Sequence, residues 1–309
     1  MSGSNDPLKA LENEWSSVAR RQGAESVVLV NDVDNELPSV PPDFIWTEAD
    51  YIIAPGYEPN ARYQLHCRDC SPCGIGDPCR CIREADRDFD GAYDCGYLRE
   101  SLVDCGHGFV IRECNPACHR GRRCLNRASQ DQRRWIPEIF KTDDGRGWGV
   151  RARVKLERGE ILGVYTGKLL PPIDSATSGL IEASIQEDSA CTIKSLDGDI
   201  DVQYMFALDG YSDRDAETAW SVDGYGAGNW TRFVNHSCKP NTLVYSRSLG
   251  QMTSDDQELL YLVLVARYDI PTGTELTFDY RPGGIHEAGQ EGRQECLCGA
   301  MNCRGRLWT

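Results

Sequence analysis

The chain has 309 residues, of which 40% are hydrophobic and 26% are charged, and its net charge is −15. It contains no run of roughly 18 or more apolar residues, so we expect no membrane-spanning helix and no membrane partner. The negative charge would attract a basic partner. It argues against a protein for which direct DNA binding dominates, because phosphate backbones require a positive surface.

Fifteen cysteines stand out in this composition. The first residues show no basic segment followed by an apolar run, so we expect no secretory signal. An odd number of cysteines outside the secretory pathway favours zinc sites over disulfides.

Residues 1–60 are interpreted as an N-terminal extension. Residues 8–19 have the apolar spacing of a helix, residues 26–30 resemble a short strand, and residues 36–44 are extended and proline-rich. No chemical motif occurs here, so we expect a segment that wraps around or docks onto the rest of the protein.

Residues 61–132 form a cysteine-rich module. Hydrophobic runs are scarce in it, so zinc–thiolate bonds are expected to supply the folding free energy that an apolar core would otherwise supply. The closely spaced cysteines are Cys67, Cys70, Cys73, Cys79, Cys81, Cys114, Cys118 and Cys124, with Cys95 and Cys105 between the two groups.

Residues 133–282 form the predicted main domain. Glycine, aspartate and proline turns separate short apolar runs here, and a helical insert is predicted at residues 181–187. Strands and helices do not alternate along these residues, which argues against a doubly wound fold. The predicted fold class is therefore mostly β. Strands are predicted at residues 149–154, 160–165, 204–208, 259–266 and 275–278.

Residues 283–309 begin as a glycine- and glutamate-rich linker and end in a second cysteine group. Cys296, Cys298 and Cys303 leave one position of a tetrahedral zinc site open. Cys238 is our candidate for the fourth ligand, and a zinc ion bound in this way would attach the tail to the main domain.

Three motifs, taken together with these cysteine groups, carry a family resemblance. They are GRGWGV at residues 145–150, RFVNHSC at residues 232–238 and ELTFDY at residues 275–280. In this order they resemble the SET-domain histone lysine methyltransferases of the Su(var) type, and the short fungal enzymes acting on lysine nine of histone H3 in particular. The resemblance implies small β-sheets around a knot-like substructure, with a pre-SET zinc module at residues 61–132, the SET domain at 133–282 and a post-SET zinc module at 283–309.

The resemblance also implies a cofactor, S-adenosylmethionine, and a channel in which the methyl group meets a lysine. Tyr165 and Tyr280 are the implied catalytic residues, because phenolic oxygens can orient the amine. Whether Tyr280 or a water molecule takes the lysine's proton stays open. Phe278 implies a product that reaches trimethyl-lysine. The implied cofactor residues are Arg146, Trp148, Tyr204, Arg232, Asn235 and His236.

The implied partner is the basic tail of histone H3. Residues 182–223 are strongly acidic and could steer such a tail, although a solvated acidic face explains the same pattern. Ala207, Asp209, Leu307 and Trp308 are the residues expected to contact the peptide.

The cysteine pattern departs from the family in one place. The family's pre-SET module holds three zinc ions with nine cysteines, but Arg120 stands where one cysteine is expected. Cys105, Cys95 or His119 could supply the missing ligand, with Cys105 preferred, and a two-zinc module is also possible. We expect three zinc ions in the pre-SET module and one in the post-SET module.

The sequence therefore predicts a nuclear, chromatin-associated histone H3 lysine-nine methyltransferase that acts in heterochromatin formation and gene silencing, together with chromatin-associated proteins. Three alternatives remain open: a SET methyltransferase for another histone or non-histone lysine, a non-catalytic chromatin-binding module, and a structural protein that is held together by zinc and binds no cofactor.

Overall fold

The computed structural model describes most of the N-terminal segment and of the predicted main domain. The described residues are 6–53, 60–63, 92–94, 96–105, 109–115, 124, 126–171, 182–184, 192–195, 198–201, 204–208, 220–252, 258–282 and 294–307. They are mostly β-structure, as predicted. Among them no helix is long and apolar enough to cross a membrane.

The elements before the main domain are short except for one helix. The helices are α1 (Pro7–Arg21) and α2 (Glu100–Cys105), with a 3₁₀-helix at Ala128–Gln130. The strands are β1 (Val28–Val30), β2 (Ile45–Trp46), β3 (Ile52–Ile53), β4 (Asn60–Tyr63), β5 (Tyr93–Asp94), β6 (Tyr97–Leu98) and β7 (Val110–Arg112).

The main domain contains the longer strands and a 3₁₀-helix at Trp230–Phe233. Its strands are β8 (Pro137–Lys141), β9 (Trp148–Ala152), β10 (Ile161–Val164), β11 (Lys168–Leu170), β12 (Glu182–Ser184), β13 (Thr192–Ser195), β14 (Gly198–Asp201), β15 (Met205–Ala207), β16 (Ser221–Asp223), β17 (Ala227–Gly228), β18 (Asn235–His236), β19 (Thr242–Met252), β20 (Glu258–Ala266) and β21 (Glu275–Phe278).

The predicted helix at residues 8–19 is confirmed as α1. Asp6 begins it by accepting a hydrogen bond from the Leu8 amide at 3.0 Å, and proline follows the cap, where its missing N–H costs nothing. The buried face carries Glu12, whose carboxylate accepts the Leu29 amide at 3.0 Å. The helix is therefore attached to β1 by hydrogen bonds as well as by packing.

One five-stranded sheet brings the sequence motifs together. Its strand order is β1-β8-β9-β21-β18, with β1 parallel to β8 and β18 parallel to β21. Ile139, Val150 and Leu276 are fully buried along it. Because β18 pairs with β21, His236 lies beside Phe278, and motifs that are about forty residues apart in sequence become neighbours.

Two further sheets complete the described core. β19 and β20 form a long antiparallel pair flanked by β10, and β7 of the cysteine-rich module pairs with β19. The other sheet has the order β15-β16-β11-β3. The strands predicted at residues 149–154, 160–165, 204–208, 259–266 and 275–278 are confirmed, with shifts of up to two residues at their ends.

The helix predicted at residues 181–187 is wrong. Glu182–Ser184 is strand β12, which pairs antiparallel with β13, and β13 pairs with β14. The reason is visible in the sequence, because Ile181, Ala183 and Ile185 alternate with polar residues. That alternation has the period of two that a strand requires, and a strand should have been predicted.

Candidate active site and metal centre

A cavity of about 230 Å³ lies where β9, β15, β18, β21 and the Trp230–Phe233 helix meet. Most of the residues predicted from the motifs line it. These are Arg146, Trp148, Tyr165, Tyr204, Arg232, Asn235, His236, Phe278, Tyr280 and Leu307.

The polar wall of the cavity is organised by one carboxylate, that of Glu275. It accepts two hydrogen bonds from Arg146, at 3.0 and 2.8 Å, and one from the Asn235 amide at 2.8 Å. A Cβ atom on Gly149 would lie 2.7 Å from the Glu275 oxygen, so this glycine of the first motif leaves room for the carboxylate. Glu275 therefore connects all three motifs.

Arg232 is a buried cation at the edge of the same cavity. Asn229 caps its 3₁₀-helix by accepting the Thr231 amide at 2.8 Å. The Arg232 guanidinium donates to the carbonyls of Gly224 (2.9 Å) and Ser39 (3.1 Å), and its carbon lies 4.3 Å from the centre of the Tyr204 ring. Within the described part of the chain its Nη2 has no hydrogen-bond partner. Such a donor is suited to an anionic group of a ligand.

Four aromatic rings pack together along one part of the cavity wall, which we call the aromatic end. The Phe206 ring centre lies 4.7 Å from that of Tyr165, 5.6 Å from that of Phe278 and 6.3 Å from that of Tyr280. The Phe278 and Tyr280 rings are 4.8 Å apart. An apolar, aromatic end of this kind fits an aliphatic chain that ends in an amine or ammonium group.

The two hydroxyl groups at this end are fixed by the main chain. Tyr165 donates to the carbonyl of Tyr204 at 2.8 Å, and Tyr280 donates to the carbonyl of Val234 at 2.9 Å. Burial raises the pKa of both tyrosines above its usual value. Both hydroxyls therefore stay protonated at neutral pH.

Gly224 determines how closely the main chain approaches Tyr165. A Cβ atom at this position would lie 2.5 Å from the Tyr165 hydroxyl oxygen. The Gly224 amide also donates to the Tyr204 carbonyl at 3.0 Å, which is the acceptor of the Tyr165 hydroxyl. A side chain here would displace the hydroxyl from the cavity wall.

The cysteines of the tail meet Cys238 next to the cavity. The sulfur atoms of Cys238, Cys296, Cys298 and Cys303 all lie within 4.8 Å of one another, and those of Cys238 and Cys296 are 3.9 Å apart. Sulfur atoms in a tetrahedral zinc site are separated by about 3.8 Å, so the four thiolates fit zinc. The Arg304 amide donates to the Cys238 sulfur at 3.3 Å, which stabilises the thiolate.

His236 lies between this cysteine centre and the aromatic end. Its Nδ1 accepts the Tyr280 amide at 3.2 Å, and its Nε2 lies 3.3 Å from the Cys238 sulfur. Burial lowers the pKa of His236, so its Nδ1 is available as an acceptor. The metal centre and Tyr280 are thus positioned by the same side chain.

Comparisons with known proteins give this geometry a family. The SET domain profile matches residues 147–281, and the pre-SET motif profile matches residues 19–127. Histone-lysine N-methyltransferase SUV39H2 of Mus musculus is 31% identical over 96% of this chain and 57% of its own length. The H3 lysine-9 specific enzyme dim-5 of Neurospora crassa is 36% identical over 69% of this chain and 62% of its own length.

Solved structures agree with these relatives. The structure of the Neurospora SET domain protein DIM-5 covers 88% of this chain and 99% of its own, with a TM-score of 0.64 and 29% identity. KRYPTONITE in complex with mCHH DNA, H3(1–15) peptide and SAH covers 92% of this chain and 51% of its own, with a TM-score of 0.62 and 26% identity.

This chain belongs to the family of SET-domain histone lysine methyltransferases with a pre-SET motif. It spans a little over half of the length of the mouse relative.

Three residues that were predicted to contact the peptide lie outside the cavity wall or outside the described residues. On β15, Phe206 faces the cavity, whereas Ala207 alternates to the other side. Asp209 and Trp308 lie outside the described residues. Phe206 was missed, although it is two positions after Tyr204 in the strand predicted at residues 204–208, and strand alternation would put both side chains on one face of that predicted strand.

The predicted pre-SET ligands are described only in part. Cys105 is exposed at the end of α2, and Cys114 and Cys124 are buried. Asn126 of the Asn-Arg turn donates to the Cys114 sulfur at 3.7 Å. The other proposed ligands lie outside the described residues: Cys67, Cys70, Cys73, Cys79, Cys81, Cys118, Cys95 and His119.

Proposed function

We propose that this chain is an S-adenosylmethionine-dependent protein lysine N-methyltransferase that acts on the histone H3 tail at lysine nine. The observation that carries the proposal is a single cavity that is lined both by polar side chains and by two protonated tyrosines. A relative of the chain is named as H3 lysine-9 specific, and a structural neighbour was solved with an H3 peptide and SAH.

The cavity's residues fit the cofactor that the family uses. The buried Nη2 of Arg232 suits an anionic group, and the wall formed by Arg146 and Asn235 offers further polar contacts. We assign cofactor binding to Arg146, Trp148, Tyr204, Arg232, Asn235 and His236. When it is bound, S-adenosylmethionine supplies an electrophilic methyl group.

The aromatic end is assigned to the target lysine. A free lysine has a pKa of about 10.4, and the amine must be neutral to attack. Burial among Phe206, Phe278 and the two tyrosine rings disfavours the ammonium form and so lowers the lysine pKa. Tyr165 and Tyr280 orient the amine through their hydroxyl oxygens.

Control of the number of methyl groups added is assigned to Phe278, which is buried between Phe206 and Tyr280. Phenylalanine adds no hydroxyl to the channel, so the amine has room to rotate as methyl groups accumulate. We therefore propose that the enzyme reaches trimethyl-lysine.

The remaining assignments follow from the family and the charge. Leu307, Trp308, Ala207 and Asp209 are proposed to contact the peptide. The four clustered cysteines are proposed to hold one zinc ion, and the pre-SET cysteines to hold three. We place the enzyme in the nucleus on chromatin, with chromatin-associated proteins as partners and a role in heterochromatin formation and gene silencing.

Mass spectrometry of an unmodified H3 tail peptide incubated with the chain and S-adenosylmethionine tests this function. Successive additions of up to three methyl groups are expected on lysine nine. A peptide with arginine at that position is the matched control and should gain nothing. Methylation of the control, or of neither peptide by protein that binds SAH, would contradict the lysine-nine assignment.

A further inference from the structure

The segment 39–48 of the N-terminal region runs alongside the chain that carries Arg232. Its strand β2 pairs in parallel with β17, and the Ile45 and Thr47 amides donate to the carbonyls of Gly226 (3.1 Å) and Gly228 (2.9 Å). The chain from Gly228 leads directly into the 3₁₀-helix Trp230–Phe233. The segment is therefore attached within a few residues of the cavity wall.

Two groups of this segment contact Arg232 itself. The Ser39 carbonyl accepts its Nη1 at 3.1 Å, and the Phe44 ring centre lies 5.2 Å from its guanidinium carbon. Tyr204 of the SET domain lies 4.3 Å from the same carbon. Ser39 also lines the cavity. The segment thus supplies part of the surroundings of a buried cation whose Nη2 has no hydrogen-bond partner in the described part of the chain.

The end of the segment is fixed in the core. Glu48 forms a buried ion pair with Arg133, at 2.9 Å, and both side chains are 2% exposed. Trp46 donates to the Glu48 carboxylate at 2.8 Å and stacks on Trp15 of α1 at 4.8 Å. These contacts attach the C-terminal end of the segment to the core, and removing either partner of such a buried ion pair would be costly.

We propose that two residues of this segment are a working part of the cofactor pocket: Phe44 and the Ser39 carbonyl position the Arg232 guanidinium and thereby set the affinity for the cofactor. This inference rests on the proposed function. Phe44 is a positioning residue, because it acts through Arg232. The physical basis is that an aromatic face and a carbonyl oxygen both stabilise a desolvated guanidinium in one orientation.

Calorimetric titration with SAH, combined with steady-state kinetics, tests the proposal on the whole chain. Phe44→Ala is expected to raise the Kd for SAH and the KM for S-adenosylmethionine about fivefold, as expected for the loss of one cation–π contact. The kcat and the KM for the peptide should stay within about twofold, because the aromatic end is unchanged. Phe44→Leu also removes the aromatic ring and should show the same loss of affinity, so it replaces Phe44→Ala if that variant folds poorly.

Two further variants separate positioning from bulk packing. Phe44→Tyr keeps the aromatic face and should retain the wild-type Kd. Ile45→Ala is the matched control, because Ile45 is the next residue and its side chain is 48% exposed, whereas the Phe44 ring packs on Arg232. It should leave both constants unchanged.

Equal Kd values for wild type, Phe44→Ala and Phe44→Leu would overturn the proposal, and so would an equal loss in Ile45→Ala. Titration with SAH needs no turnover. A chain that binds SAH but methylates no H3 peptide therefore refutes the proposed function while the series of Kd values still decides the role of Phe44. A wild-type chain that binds no SAH would refute both.

Discussion

Two buried clusters in this protein each combine a pair of tyrosines with an arginine. The first, the Glu113 cluster, consists of Tyr93, Glu113, Tyr245 and Arg247. Tyr93 donates to the Glu113 carboxylate at 2.5 Å, its hydroxyl lies 2.9 Å from that of Tyr245, and Arg247 lies 4.0 Å from the carboxylate. The cluster joins β5 of the pre-SET segment to β19 of the SET domain.

The second, the cavity cluster, consists of Tyr165, Tyr280 and Arg232. Its hydroxyls donate to main-chain carbonyls rather than to a carboxylate, and all three side chains line the cavity. The Arg232 guanidinium contacts carbonyls and aromatic rings, and its Nη2 has no hydrogen-bond partner among the residues that the structure describes. In the Glu113 cluster the polar groups contact one another, whereas the side chains of the cavity cluster surround the cavity.

The comparison of the two clusters shows that a raised pKa does not by itself identify a catalytic tyrosine. Burial raises the pKa of Tyr93 and Tyr245 as it does that of Tyr165 and Tyr280. Only the second pair lines the cavity. The position of a tyrosine relative to the cavity, rather than its pKa, therefore separates a candidate catalytic residue from a structural one.

Glu113→Ala is expected to give the largest effect, on stability. It leaves the Tyr93 hydroxyl and the Ser129 amide without their acceptor and Arg247 without a nearby carboxylate. We expect the free energy of unfolding in urea to fall by about 3–5 kcal/mol. Lys155→Ala removes an ion pair with Asp269, in which the side chains are 56% and 59% exposed, and should cost less than about 1 kcal/mol. Equal losses in the two variants would contradict a supporting role for the cluster.

Cys303→Ser should affect the cavity rather than the Glu113 cluster. A zinc ion held by the four thiolates would fix the positions of Cys296 and Cys298, which line the cavity. Losing one ligand should therefore lower kcat/KM by about 100-fold. Metal analysis should show one zinc ion fewer per chain. Full activity with a reduced zinc content would separate the metal from the cavity and contradict this connection.

Gly224→Ala tests the close approach to Tyr165. Its Cβ atom would push on a hydroxyl oxygen that is only 2.5 Å away, and we expect kcat to fall about 30-fold, since displaced catalytic groups are costly. Gly226→Ala is the matched control, because its Cβ atom would meet only the flexible end of Lys168, at 3.3 Å. The same loss of kcat in both variants would point to a general effect on the loop.

Phe278→Tyr is expected to change the product more than the overall rate. The added hydroxyl introduces a polar group into the aromatic end, where the Phe278 ring centre lies 4.8 Å from that of Tyr280. The third methyl transfer should slow by at least about tenfold, and the first should be little changed. Mass spectra taken over time would show mono- and dimethyl products accumulating. Continued trimethylation would refute the role of Phe278.

Sequence patterns predicted the parts of the site that are contained in short motifs. Asn235, His236 and Cys238 lie within four residues of one another in one motif. A prediction that places one of them near the cavity therefore places the others there as well. The cysteine spacing of the tail left one ligand open, and the structure brings Cys238 to that position. Metal ligands are predictable in this way because their number and geometry are restricted.

Contacts between distant segments could not be predicted. Ser39 meets Arg232 through a main-chain carbonyl, and a carbonyl leaves no trace in residue type. Glu275 lies inside a recognised motif, but its bonds to Arg146 and Asn235 depend on the pairing of β21 with β9 and β18. Strand order is set by the whole fold, which local patterns do not specify.

We propose that the hydroxyls at the aromatic end of the cavity are used in methyl transfer, whereas those of the Glu113 cluster are not. Single-turnover methylation of the H3 peptide by Tyr280→Phe and Tyr245→Phe tests it, because each change removes one buried hydroxyl and keeps the ring. We expect Tyr280→Phe to slow transfer by about 100-fold or more. We expect Tyr245→Phe to keep the wild-type rate and to lose about 1–2 kcal/mol of stability. Equal rates in the two variants would contradict the claim.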